Sequence, residues 1–181
     1  MRTGHLIRWL RAGTAHSVWN APAFQAPETI GVSSSDFADG GPIPDAHVSR
    51  RAGGENVSPE LTWTAPPYGT AQLLLILEDA DVPFPRPLIH TVALLPAETR
   101  TLARGGLRPG NPSVRSLRAS LGATGYAGPM PPPGHGPHHY EFTLYALERP
   151  VPAGVRSIGA VRRTVDGHVL ARGRLTGTYE R

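Results

Sequence analysis

Hydrophobic positions along the chain fall into a few strong patterns. Leu73-Leu74-Leu75-Ile76-Leu77 is apolar at every position. A strand buried on both faces reads this way, so the run belongs in the middle of a sheet. The stretch from His138 to Leu147 alternates instead. His138, Tyr140, Phe142 and Leu144 share one face, and His139, Glu141, Thr143 and Tyr145 share the other. His90 to Leu95 is a further strand, with His90, Val92 and Leu94 on one face. Shorter extended pieces are predicted at Ile30–Ser34, Leu61–Thr64, His168–Leu170 and Gly173–Tyr179, and a proline-spaced one at 20–27. Helical spacing of Val155, Ile158 and Val161 predicts an amphipathic helix within Gly154–Asp166, stopped by Asp166-Gly167. A short helix capped by Thr3 is expected over residues 4–12, and one or two helical turns over 113–121.

Polar residues sit at the ends of the apolar stripes, and their placement suggests a pocket. If strands 73–79 and 90–95 pair antiparallel, Asp79 and His90 lie at one end of the sheet. A 140–147 strand running parallel to 90–95 brings His138 and Tyr140 to that same end. Asp79 and Asp81 keep the parity of Leu77, so both face one side if the strand stays extended. The plainer alternative is a solvated strand end with turn-forming aspartates. The loop from Gly125 to Pro137 is rich in Gly and Pro, which restrict its unfolded conformations and let it hold a fixed concave backbone. The proline-rich loop after Asp81 has Val82–Pro83 as its candidate cis bond.

Composition narrows the class. The 181 residues suffice for one domain with a sizeable core, and 20 Pro with 21 Gly argue for long connections and against a helical bundle. All 18 basic residues are arginine, the net charge is only +4, and no basic cluster is interleaved with aromatics, which argues against nucleic acid as a partner. With no cysteine, disulfides, thiol catalysis and zinc–thiolate sites are excluded. No stretch approaches the ~18 apolar residues of a transmembrane segment. Arg8 interrupts the apolar run Leu6–Leu10, so a secretory leader is not expected and the protein reads as cytoplasmic.

Several separated motifs, in order, resemble the phosphatidylethanolamine-binding protein family in its bacterial, Raf-kinase-inhibitor-like branch. They are Asp39-Gly-Gly-Pro-Ile-Pro44, Gly54-Glu-Asn-Val-Ser-Pro-Glu-Leu-Thr-Trp63, Asp79-Ala-Asp-Val-Pro83 followed by His90, Gly128-Pro-Met-Pro-Pro-Pro-Gly-His-Gly-Pro-His-His-Tyr140, and Gly177-Thr-Tyr-Glu-Arg181. The resemblance covers residues 28–181, leaving 1–27 as an N-terminal extension. It implies a mainly β fold: a large central sheet packed on a smaller one, Greek-key connections, and one or two peripheral helices. It also implies a pocket for phosphate or a phospholipid head group, lined by Asp79, Asp81, Pro83, His90, Gly128, Pro132, His138 and Tyr140. Homodimers and a modulated partner kinase or protease belong to the same implication. The chain departs from the family pattern at Ala80, Thr91, Leu94 and His139. The last replaces an arginine that could neutralise a pocket-edge aspartate permanently, whereas a histidine does so only when protonated.

Chemically, two imidazoles, a phenol and loop N–H groups suit an anion. A hydrolase built on an Asp–His pair is the second reading, but no Gly-x-Ser-x-Gly elbow or cysteine offers a nucleophile. A third is an interaction module with a vestigial pocket. His135, His138 and His139 supply three imidazoles, yet their spacing matches no common zinc pattern, so neither metal nor cofactor is expected.

Overall fold

The computed structural model describes residues 9–181. Its elements are β1 (Val32–Ser33), β2 (Leu61–Trp63), β3 (Gln72–Asp79), β4 (Leu88–Pro96), β5 (Thr101–Leu102), β6 (Arg115–Leu117), β7 (His138–Leu147), α1 (Ile158–Val165) and β8 (Val169–Tyr179). The larger sheet has the order β6-β4-β3-β7-β8 and the smaller β1-β2-β5. All these neighbours pair antiparallel. The chain crosses from the small sheet to the large one between β2 and β3, back at β5, and over again to β6. This is the mainly β, Greek-key architecture that the motifs implied.

β3 is central because both of its faces are apolar. Leu73, Leu75 and Leu77 pack with Leu61, Trp63 and Leu102 of the small sheet. Leu74 and Ile76 face the other way, toward Phe24, Tyr145, Val161 and Val165. Burying each such side chain contributes about 2 kcal/mol relative to leaving it exposed. β7 is antiparallel to β3, so it runs in the sense of β4 on the far side of β3. Asp79 therefore lies between Leu88 of β4 and Tyr140 of β7, and the three polar strand ends meet.

Helix α1 begins at Ile158 because Ser157 caps it, its hydroxyl accepting the Ala160 N–H. Val161 and Val165, one turn apart, are its buried face.

Some local expectations are corrected. Residues 113–121 form strand β6 and enter a 3-10 turn at Ser120–Gly122 rather than helical turns. Pairing with β4 and the buried Leu117 outweigh a weak helical pattern. Pro22–Phe24 is a 3-10 turn within the expected extended piece. The two closing segments are one continuous strand, β8. Of the helix expected over 4–12, residues 4–8 lie outside the described residues, and 9–12 carry no helix. Among the described residues no peptide bond is cis, Val82–Pro83 included.

Candidate functional site

Asp79 ends β3 with its side chain on the small-sheet side. His138 begins β7, two residues before Tyr140, which is Asp79's cross-strand neighbour. That diagonal offset brings His138 Nδ1 to 2.7 Å from Asp79 Oδ2. His138 Nε2 in turn lies 2.7 Å from His135 Nδ1, and His135 Nε2 lies 3.2 Å from the Leu10 carbonyl. The Leu10 oxygen can only accept, so His135 Nε2 donates to it; one proton bridges His135 Nδ1 and His138 Nε2, and another bridges His138 Nδ1 and Asp79 Oδ2. Asp79 is 1% and His138 0% exposed, so this chamber is sealed from solvent.

His90 reaches the same end by an irregularity. Leu77 pairs with Thr91 and Glu78 with Ile89, so His90 is a β-bulge with no cross-strand partner. The bulge overturns the expectation that His90 shares a face with Val92 and Leu94. Those two pack on the α1 side, while the His90 ring meets Tyr140 edge-on at 5.4 Å. Tyr140 separates His90 from His138, whose ring stacks on its other side at 6.4 Å. Burial first, and the Asp79 charge after it, push the Tyr140 phenol upward, so it stays protonated; its oxygen accepts the Met130 N–H.

His90 Nδ1 is 3.0 Å from the Ala127 carbonyl and must donate to it. Burial lowers the His90 pKa, partly opposed by Asp79. Neutral His90 therefore carries its proton on Nδ1, and Nε2 is a buried atom with no partner among the described residues. His90 lines a cleft of about 390 Å³ together with Gly128, Asn56, Arg50, Arg51 and Met130.

Asn56 holds that cleft together. Its amide donates to the Tyr126 carbonyl at 3.1 Å and accepts the Gly128 N–H at 2.9 Å. A Cβ on Gly128 would collide with the His47 carbonyl oxygen and the Ser49 amide nitrogen, so only glycine permits this approach. Asn56 is thus a bridge between two loops.

Asp81 does not stay with Asp79. The strand ends at Asp79, whose Oδ1 accepts the Asp81 N–H at 2.8 Å in a side-chain-closed turn. Asp81 consequently emerges on the His139 side. Its Oδ2 accepts from the His139 backbone N–H and lies 2.8 Å from His139 Nδ1, while Arg11 Nη1 sits 2.6 Å from Oδ1. Burial opposes the charge, but these His139 and Arg11 contacts outweigh it and hold Asp81 below the usual carboxylate range. The guanidinium missing at position 139 is thus supplied by Arg11.

Of the candidate residues, His90 and Gly128 line the cleft, while Asp79, His138 and Tyr140 form the sealed chamber behind it. Asp81 belongs to a recess of about 180 Å³ shared with Arg11, His139 and Glu141. Pro83 and Pro132 shape loops; the Pro132 carbonyl accepts the His135 N–H that turns His135 inward. Arg11 and Arg50 carry no local sequence signal for the site, since tertiary contacts alone bring them there; Asn56 sits in the Gly54–Trp63 motif, but its bridge to Gly128 is a tertiary contact.

A structure with this arrangement has relatives. The crystal structure of YbcL from Escherichia coli, described as a member of the mammalian PEBP family, superposes with a TM-score of 0.77 at 28% identity, covering 84% of this chain and 98% of that one. A UPF0098 protein of Mycobacterium tuberculosis H37Rv is 38% identical over 160 residues, 88% of this chain and 74% of its own. LppC of the same organism, which its name calls a lipoprotein, is 37% identical over 175 residues, 94% of this chain and 80% of its own. The family model described as phosphatidylethanolamine-binding protein matches residues 33–180, and the chain belongs to that family.

Proposed function

We propose that this protein is a non-enzymatic binder of a phosphate-type anion, free or as a phospholipid head group, at the His90 cleft. One observation carries the reading: His90 Nε2 is buried and unpartnered at the wall of an open cleft. Leaving such an atom unsatisfied costs about 1–3 kcal/mol, which a ligand would offset. Arg50 and Arg51 at the same cleft supply positive charge, and Met130 with Leu121 supplies apolar surface for the start of a lipid chain. The Gly128 loop sets the cleft floor, and Asp79, His138 and Tyr140 support His90 from behind.

The test is titration of inorganic phosphate and of glycerophosphoethanolamine into wild type and His90→Gln, followed by NMR shifts. A loss of about tenfold or more in affinity, with an unchanged urea midpoint, is expected for the variant. Equal affinity in both proteins would refute the reading.

Hydrolysis by the Asp79–His138 pair is the less favoured reading because His138 Nε2, the nitrogen that would activate a nucleophile, faces His135 instead. Turnover of an ester or phosphoester panel that is lost in His138→Ala would reverse that preference. Modulation of a partner kinase or protease and a homodimer rest on the family likeness, and sedimentation with pull-down in wild type and His90→Gln tests both. A cytoplasmic location is proposed, against which the lipoprotein-named relative sets the membrane fraction; cell fractionation decides.

A further inference from the structure

The sealing of the His135–His138–Asp79 chamber depends on a short piece of chain from far away in sequence. Ala12 donates its N–H to the Val82 carbonyl and Gly13 to the Ala80 carbonyl, both at 2.9 Å. Arg11 reaches over the opening to Asp81 at 2.6 Å, to the Pro137 carbonyl at 3.2 Å and to the His135 carbonyl at 3.4 Å. The Leu10 carbonyl occupies His135 Nε2. A carbonyl oxygen therefore stands where the oxygen of an anion would meet the imidazole pair.

This covering piece is itself scarcely buried. Trp9 is 72% and Leu10 50% exposed, so lifting them removes little apolar contact. The chain just beyond it is firmly held: the Val18 N–H meets both Glu78 carboxylate oxygens at 3.1 and 3.0 Å, and Trp19 lies in the core. Between the loose and the fixed part stands Gly13, in the left-handed region at φ 69°, a conformation glycine adopts without strain. The segment thus has an anchor, a pivot and a polar latch.

We propose that Leu10–Gly13 is a hinged cover on the His135–His138–Asp79 chamber, latched by Arg11 on Asp81, and that it keeps an anion from the imidazole pair until it lifts. What the chamber admits rests on the anion-binding function proposed for the His90 cleft; the cover itself does not. In the closed state an anion meets only His90, and in the open state the imidazole pair, through the His135 Nε2–H that Leu10 no longer covers, becomes a second, deeper contact. Arg11 is then a positioning residue, acting through the segment it holds.

The experiment compares wild type, Arg11→Met and Arg11→Lys as full chains. Deuterium exchange at the imidazole Cε1–H reports solvent access ring by ring, and His90, outside the cover, is the internal control. His138 exchange is expected to quicken about fivefold or more in Arg11→Met, with His90 unchanged and Arg11→Lys near wild type. An unchanged His138 rate in Arg11→Met overturns the cover. In parallel, inorganic phosphate is expected to bind Arg11→Met about three- to tenfold more tightly than wild type, since the cover no longer competes. Weaker binding would overturn the excluding role and make Arg11 a ligand of the anion. If His138 opens but phosphate binds neither protein, the cover stands and the anion-binding reading falls. If phosphate binds both equally and His138 stays protected, the anion-binding reading stands and the cover falls.

Discussion

His90 decides what kind of anion the cleft accepts. Its Nδ1–H is committed to Ala127 and burial keeps the ring neutral, so Nε2 offers a lone pair rather than a proton. Sulfate, which cannot donate, can occupy Nε2 only after the ring takes up a proton. Binding is then linked to proton uptake, and sulfate affinity should fall about tenfold per pH unit above the His90 pKa in the free protein. Calorimetric titration between about pH 6 and 8, in buffers of different ionisation heat, checks this. A flat affinity without proton uptake would place sulfate elsewhere. Gly128 makes a separate prediction. Gly128→Ala forces the His47–Ser49 backbone away and should cost about 1–3 kcal/mol in urea denaturation, with weaker phosphate binding. Alternation within β7 made His138 and Tyr140 legible from sequence. Arg11 was not, because nothing near position 11 marks it as the partner of Asp81.

Among the elements, strands with strong patterns were readable and irregularities were not. β3, β4 and β7 follow their apolar runs, and their common end follows from antiparallel pairing. The bulge at His90 reverses its face without altering the alternation of letters, so parity alone misplaces it. Asp81 is misplaced for a related reason, since the strand stops at Asp79 and turns. β6 carries too few residues to show any period. Within β3, Glu78 lies opposite Glu141 and is buried at the base of the recess it shares with Arg11, Asp81 and His139. Burial first, opposed by the Val18 N–H, pushes its pKa up to about 7. The folded state therefore keeps a proton that the unfolded chain has lost, and stability falls as pH rises from about 4.5 to about 7. The loss is on the order of 3 kcal/mol. Glu78→Gln, neutral throughout and still offering an oxygen to Val18, should abolish that slope. Urea midpoints at the two ends of the window measure it, and an unchanged slope would put the titrating group elsewhere.

For the molecule as a whole, the segment before β1 divides at Gly13 into two parts with different physical roles. Residues 10–13 touch the site through polar contacts and stay largely exposed. Val18, Trp19, Ala23 and Phe24 instead complete the apolar layer between the large sheet and α1. Trp19 also carries the Arg172 guanidinium over its ring at 3.8 Å, and its carbonyl accepts from Arg172 at 2.8 Å. Arg172 is a buried cation on β8 whose charged partner is Glu28, so loss of Trp19 removes its ring and carbonyl contacts as well as opening the layer. Family motifs begin only after this segment, which is why the sequence set residues 1–27 apart as an N-terminal extension. Two truncations separate the alternatives. A chain beginning at Thr14 should unfold within about 1 kcal/mol of the full chain, because the contacts described for Leu10, Arg11, Ala12 and Gly13 are polar and partly exposed. One beginning at Gln25 should lose about 5 kcal/mol or more, the sum of an opened core layer and a buried guanidinium left with Glu28 but without the Trp19 ring and carbonyl. Thermal and urea unfolding of both measure the difference. Equal stability of the two would mean that the large sheet and α1 hold together without the Trp19 layer, and that the whole segment is an appendage.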